Sequence, residues 1–282
     1  MDVLRRVPFR VRLRVPVGAV VERAGEFVEG PAGWAEYSPL PSWSPAERAR
    51  AEAAAVEVAG SEFPAPVRDR VEVNALVPRV TPREAAKLAL ESGCATIKVK
   101  VGDEYSIERV RAVREAMGPA TKIRVDANGS WDVVTASLAL AQLEQFGIEF
   151  IEDPVSNLED MANLRRGSSV LIAAESCVRT IQDVRRMNDL RAADVLVLKP
   201  QRMGGIAASL AAAEESTVPV VPSSALETSV GLSAVLAVAA ALPSLPFAAG
   251  IGTALLLDED PVEDPLVPVD GALTPRRVRP AL

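Results

Sequence analysis

Along the chain, hydrophobic positions switch between two periods. Near the start, residues 9–15 alternate apolar and polar side chains, the period-two signature of a strand with one buried face. Glu26–Val28 and Trp34–Tyr37 extend the pattern on either side of a Gly30-Pro31-Ala32-Gly33 turn. Ser44-Pro45 with Glu47 then opens a helix, as a capping box with proline at the first helical position, and the Ala/Glu/Arg run carries it to about Val58. From there short β-branched runs recur. They are Val71–Val77, Ile97–Val101, Ile123–Asp126, Phe150–Glu152, Leu171–Glu175, Val195–Lys199, Val218–Ser223 and Pro246–Gly250. Helical patterns lie between them, near 81–91, 106–117, 133–146, 158–166, 180–190, 206–215 and 229–242. Strand and helix alternating in this way predict a parallel sheet with right-handed crossovers.

The polar residues that end these runs are evenly spaced. Asn74, Lys100, Asp126 and Glu152 follow at intervals of 26 residues, and Glu175, Lys199 and Ser223 at intervals of 23 to 24. One β/α unit takes about this length, so eight units predict a (β/α)8-type barrel with all of these side chains at its C-terminal mouth. An open doubly wound sheet is the weaker reading, because no G-x-G-x-x-G follows the first strand.

Composition narrows the chemistry. The chain of 282 residues contains no histidine, which excludes Ser-His-Asp triads, Cys-His dyads and His-ligated zinc or haem. A net charge of −7 argues against a nucleic-acid-binding surface. Cys94 and Cys177 are too few for a disulfide framework and fit a cytoplasmic protein. No secretory signal opens the sequence. Thr228–Leu257 carries no charge and is long enough to span a bilayer, but Pro243 and Pro246 interrupt it. A buried helix followed by a buried strand is the expectation there, and no membrane span.

Asp126, Glu152 and Glu175 would end three consecutive strands. Converging carboxylates repel one another unless a cation sits between them, and all-oxygen ligands suit Mg²⁺ or Mn²⁺. Lys100 precedes this trio by one unit and Lys199 follows it by one, so a barrel would set the two lysines facing each other across the metal. A lysine is a poor base at its free pKa of about 10.4, and a cation together with Lys98 on the same strand face would lower it. A metal beside lysines points to removal of a proton from the carbon next to a carboxylate, with stabilisation of the resulting enolate. β-Elimination, racemisation and cycloisomerisation all begin in this way. One lone acid at a strand end is more often a helix cap, and only the evenly spaced set makes a site. Asn128 shapes a turn with Gly129 or supports the site.

Lys98-Val99-Lys100, Asp126-Ala127-Asn128, Glu152-Asp153-Pro154 and Leu198-Lys199-Pro200 resemble the enolase superfamily, muconate-lactonising subgroup. The segment Ser223-Ser224-Ala225-Leu226-Glu227-Thr228-Ser229-Val230-Gly231-Leu232 looks like the seventh-strand segment of o-succinylbenzoate synthases. Gly30-Pro31-Ala32-Gly33-Trp34, Ser92-Gly93-Cys94-Ala95-Thr96 and Asp264-Pro265-Leu266-Val267-Pro268-Val269-Asp270-Gly271 are similar to that family in their own regions.

The resemblance implies a modified barrel over residues 66–258, an N-terminal α+β capping domain over 1–65, and a tail over 259–282 that returns to the cap. It implies dehydration of 2-succinyl-6-hydroxy-2,4-cyclohexadiene-1-carboxylate to 2-succinylbenzoate in menaquinone synthesis. Lys100 is then the base, Lys98 its neighbour, and Lys199 the cation that stabilises the enediolate. Asp126, Glu152 and Glu175 are the divalent-metal ligands, and Ser223, Ser224, Gly250, Gly252 and Thr253 hold the succinyl tail. The implied partner is a small carboxylate substrate, and a monomer is compatible with all of this.

Three features depart from the family. Ala174-Glu175-Ser176-Cys177 stands where Ala-Asp-Glu-Ser is usual, Val17-Gly18-Ala19 stands where the capping loop carries Phe-Arg-Gly, and the chain is somewhat shorter than members of that family, partly in the loop after Lys100. They keep alternatives in view: an N-acylamino acid racemase, a dipeptide epimerase, or a non-catalytic relative. A Schiff-base aldolase needs one desolvated lysine and no carboxylate trio.

Overall fold

The computed structural model describes residues 3–282, in two compact units. One comprises residues up to 73 with 198–214 and 221–282; the other comprises 74–197 with 215–220.

The first unit opens with a three-stranded antiparallel sheet of β1 (Arg5–Val17), β2 (Val20–Gly30) and β3 (Gly33–Tyr37). Val17-Gly18-Ala19 makes the tight turn between β1 and β2, with Val17 paired to Val20 and Gly18 at φ 60°. Helix α1 (Pro45–Gly60) begins at the capping box read from the sequence. Ser44 Oγ accepts from the Glu47 N–H, and the Glu47 carboxylate accepts from the Ser44 N–H. Its inward face joins Val28 and Ala35 in one cluster with Ala55, Val58 and Ala59. A two-residue strand, β4 (Val71–Glu72), leads out of this unit.

The second unit holds the parallel sheet. Chain order runs β5 (Asn74–Val77), α2 (Pro82–Glu91), β6 (Thr96–Lys100), α3 (Ser106–Met117), β7 (Lys122–Asp126), α4 (Val133–Leu143), β8 (Phe150–Glu152), α5 (Leu158–Gly167), β9 (Leu171–Ala174), α6 (Ile181–Leu190) and β10 (Val195–Leu198). Strand β11 (Val220–Pro222) completes the order β11-β10-β9-β8-β7-β6-β5. Strands β6 to β9 are buried almost throughout, as expected where helices follow every parallel strand.

The chain returns to the first unit at the end of β10, through α7 (Pro200–Met203) and α8 (Ile206–Glu215), and again after β11 through α9 (Ser229–Ala241). Eleven of the thirteen α9 residues are buried, which explains the uncharged stretch: a helix apolar all round is a core helix. Among the described residues no helix is long and apolar enough to cross a membrane.

The run expected as an eighth strand, 246–250, forms two isolated parallel bridges, Ala249 to Val73 and Gly250 to Ser223. Pro246, at the head of the run, has no N–H to donate to a ladder. Ala249 and Gly250 donate to Glu72 O and Pro222 O at 2.8 Å each. A short 3₁₀ turn at Gly252–Leu256 follows, with no counterpart in the hydrophobic pattern. In the tail, β12 (Ala272–Leu273) pairs with β4, and Arg277 donates to the carbonyls of Val58 and Ser61 at the end of α1.

Candidate active site

In the second unit, strand register assembles the charged groups. Lys98 pairs with Arg124, Lys100 with Asp126, Arg124 with Phe150, and Asp126 with Glu152. Parallel register with alternating side chains therefore sets Lys100, Asp126 and Glu152 in a row, with Lys98 and Arg124 one step below. Glu175 lies two residues beyond Ala173, the register partner of Glu152.

The two lysines grip one carboxylate. Lys98 Nζ lies 2.7 Å from Asp126 Oδ2 and 2.6 Å from Glu152 Oε1, and Lys100 Nζ lies 2.7 Å from the same Asp126 oxygen. Asn128 sits at φ 52°. It turns the chain, donating its N–H to Asp126 Oδ1 at 2.9 Å, and its Oδ1 accepts from Lys100 Nζ at 2.8 Å.

Burial would lower the pKa of Lys98, but the charges of Asp126 and Glu152 outweigh it and hold this lysine protonated well above the usual range. Lys100 moves the other way. Burial lowers its pKa, Asp126 offsets part of that, and the Lys98 charge lowers it further. Two lysines on one strand face are thus pushed apart, one a fixed cation and the other closer to a usable base. Burial pushes the Asp126 carboxyl upward, but Lys100 and Lys98 override it and hold Asp126 ionised.

Glu152, Asp153 and Glu175 form a carboxylate cluster, with one oxygen of each within 4.8 Å of the others. Like charges at that distance repel by about 3 kcal/mol per pair at an effective dielectric of about 20. Burial and the neighbouring Asp126 charge push Glu152 up to about 7, and burial with the Glu175 charge pushes Asp153 up to about 6. Of the expected trio, Glu152 and Glu175 come together here; Asp126 stands beside them in the lysines' grip, and Asp153 joins. Both Asp153 oxygens accept backbone N–H groups, from Glu175 at 2.9 Å and Ser176 at 2.8 Å. This buried, all-oxygen, anionic cluster fits a hard divalent cation.

The sequence reading passed over Arg124. It is 1% exposed, pairs with Glu149 at 2.6 Å, donates to Asn74 Oδ1 at 3.0 Å, and lies 4.6 Å from the Phe150 ring centre. Its parity with Asp126 on one strand was the available signal.

In the first unit, Lys199 caps α7, its carbonyl accepting from the N–H groups of Arg202 and Met203. Ser224 Oγ meets Thr253 Oγ1 at 2.7 Å, and Ser223 Oγ donates to Gly250 O at 3.3 Å. A side chain at position 250 would place its Cβ 2.4 Å from Ser223 Oγ, so only glycine fits. Gly252 opens the buried 3₁₀ turn that carries Thr253.

Residues 81–280 match the family described as enolase C-terminal domain-like, and residues 4–59 the family described as enolase N-terminal domain-like. The chain belongs to the enolase superfamily. Within it, the o-succinylbenzoate synthase of Thermobifida fusca is 48% identical over 277 residues, covering 96% of this chain and 86% of that one. The o-succinylbenzoate synthase of Mycobacterium ulcerans is 41% identical over 281 residues, covering 97% and 84%. The fold is shared with the L-Ala-D/L-Glu epimerase of Bacillus subtilis, at TM-score 0.85 and 24% identity over 99% of this chain and 98% of that one. It is shared also with the muconate lactonizing enzyme of Pseudomonas fluorescens, at TM-score 0.83 and 20% identity over 99% and 95%. These two likenesses show the fold alone. The fold class and the family resemblance read from the sequence are both borne out. Enolase-superfamily members use a divalent metal, which agrees with the buried acidic cluster around Glu152 and Glu175.

Proposed function

We propose that this enolase-superfamily chain is an o-succinylbenzoate synthase, which converts 2-succinyl-6-hydroxy-2,4-cyclohexadiene-1-carboxylate to 2-succinylbenzoate in menaquinone synthesis. The observation that carries the substrate assignment is the 48% identity, over 96% of the chain, with the Thermobifida fusca enzyme of that name.

The residues support the chemistry as follows. Lys100, with its lowered pKa, takes the proton from the carbon next to the substrate carboxylate. Lys98 stays an ammonium and keeps Lys100 poised. Lys199 contributes positive charge to the enediolate. The C–O bond then breaks, and the ammonium of Lys100 returns its proton to the departing oxygen on the same face, so water leaves and the ring becomes aromatic. When bound, a divalent cation, Mg²⁺ or Mn²⁺, supplies positive charge against the negative charge that develops on the substrate carboxylate.

Asp126, Glu152 and Glu175 would hold that cation. Asp153 is committed elsewhere, because both of its oxygens are tied to backbone donors that cannot swing away. Asp126 is held mainly by two lysine ends, which can. Asp153 instead fixes the backbone of Glu175. Ser223, Ser224, Gly250, Gly252 and Thr253 would receive the succinyl tail, with Ser224 and Thr253 offering paired hydroxyls. A cytoplasmic location fits this metabolic role.

The dipeptide epimerases share only the fold, so they carry no second reading. The test is a spectrophotometric dehydration assay with Mg²⁺, with Mn²⁺ and with EDTA. Metal-dependent appearance of the aromatic product is expected. No turnover with either metal overturns the assignment.

A further inference from the structure

Arg79, in the second unit, follows the end of β5 and has no part in the proposed chemistry. One of its donors is spent: Nε donates at 3.0 Å to the carbonyl of Val101, the residue after Lys100. Among the described residues Arg79 makes no ion pair, and its two Nη groups make no hydrogen bond. Asp103 feels its charge, but Arg109 already holds both Asp103 oxygens, at 3.1 and 2.8 Å. The Arg79 charge is therefore left over.

Gly102 shows where that charge is aimed. It sits at φ 101°, and a Cβ there would lie 2.7 Å from Arg79 Nη2 and collide with Ser130 Oγ. The two side chains thus crowd one point that only a glycine leaves open. Ser130 comes from the turn after β7, two residues beyond Asn128, whose Oδ1 accepts from Lys100 Nζ. Its backbone N–H goes to Ala127 O at 3.1 Å, and among the described residues its Oγ makes no hydrogen bond. Arg79, Gly102 and Ser130 all leave the C-terminal ends of adjacent strands, the ends that carry Lys100 and Asp126. Gly102 is two residues past Lys100, at most about 7 Å of chain.

An open guanidinium fork beside a hydroxyl donor fits a carboxylate, which takes parallel N–H bonds from arginine. Both side chains are exposed, so a ligand can reach them from solvent. We propose that Arg79 and Ser130 form a carboxylate-binding site beside Lys100, which collects a carboxylate of the incoming substrate. The inference rests on the functional reading only for the identity of that substrate.

The experiment titrates the full, ¹⁵N-labelled chain with acetate in EDTA, at constant ionic strength made up with sodium chloride. The amide signals of Gly102 and Ser130 should move and saturate in the wild type. Arg79→Gln should weaken this binding about tenfold or more, and Ser130→Ala about threefold. Arg83→Gln, an exposed charge on α2, is the control and should bind acetate as the wild type does. In turnover, Arg79→Gln should raise KM about tenfold with kcat within about twofold, as for binding that is equal before and during the reaction. Absence of a saturable response in the wild type overturns the proposal. So does an Arg79→Gln response equal to that of the wild type, or an equal weakening in Arg83→Gln, which would mean diffuse surface charge. An unchanged KM in Arg79→Gln overturns the role in substrate capture. If Arg79→Gln does not fold, Ser130→Ala decides, and wild-type binding there overturns the site. If the wild type does not dehydrate the cyclohexadiene, the functional reading fails, and the acetate titration still decides this one.

Discussion

Lys98 and Lys100 are two residues apart on one strand and have opposite protonation tendencies, because their partners differ. Lys98 bridges two carboxylates, whereas Lys100 shares one of those carboxylates and has an amide oxygen as its second contact. This gives a prediction with a definite sign. Lys98 lowers the pKa of Lys100, so Lys98→Met should raise it. Less of the base is then free at a given pH, and the acid limb of the kcat/KM profile should move to higher pH. Lys100→Met should instead lower kcat by about 10²-fold or more at every pH, the range typical of a lost general base. An acid limb that stays in place or moves down in Lys98→Met would separate the two lysines functionally and remove Lys98 from the mechanism.

At the scale of elements, much was legible because it is periodic. The capping boxes at Ser44 and Thr81, the alternation of strand and helix, and the regular spacing of Lys100, Asp126 and Glu152 are all local signals that register turns into geometry. What stayed hidden depends on partners remote in the chain. Nothing local announces that Glu36 accepts from Thr228 and Gly231, or that Asp153 joins Glu152 and Glu175 in one cluster. The expected strand at 246–250 is cut short for a local reason, the proline at its head.

One such remote contact sets the start of α8. Glu57 on α1 accepts from the N–H groups of Ile206 and Ala207 at 2.8 and 2.9 Å, acting as a cap supplied by another helix. A Cβ at position 205 would lie 1.7 Å from Glu57 Oε2, and Gly205 sits at φ 121°. Glu57→Ala should cost about 1–2 kcal/mol, as for a lost cap. Gly205→Ala should cost more, since it displaces the same carboxylate and strains the backbone as well. Urea unfolding of both variants checks the order, and a Gly205→Ala loss smaller than that of Glu57→Ala would refute it.

For the whole molecule, the carboxylate cluster links ion binding to stability. Glu152, Asp153 and Glu175 lie close enough that their mutual repulsion opposes folding whenever they are all ionised. A cation that binds only the folded chain stabilises it by about 2.7 kcal/mol at 100 times its Kd. For a chain of this size that corresponds to a rise in Tm of about 5 °C or more. One substitution should therefore act in opposite directions under two conditions. In EDTA, Glu175→Gln removes a like charge and should leave Tm equal to or above that of the wild type. In saturating Mg²⁺, the wild type should gain its increment and the variant most of it lose, so that the order reverses. Thermal unfolding of both proteins under both conditions reads this without any substrate, and so separates an intact ion site from a working catalyst. Equal increments in the two proteins would mean that the ion binds elsewhere, and the acids at the ends of β8 and β9 would then need another role. A reversal would tie the even spacing of acids along the sequence to the stability of the folded chain, independently of the reaction proposed for it.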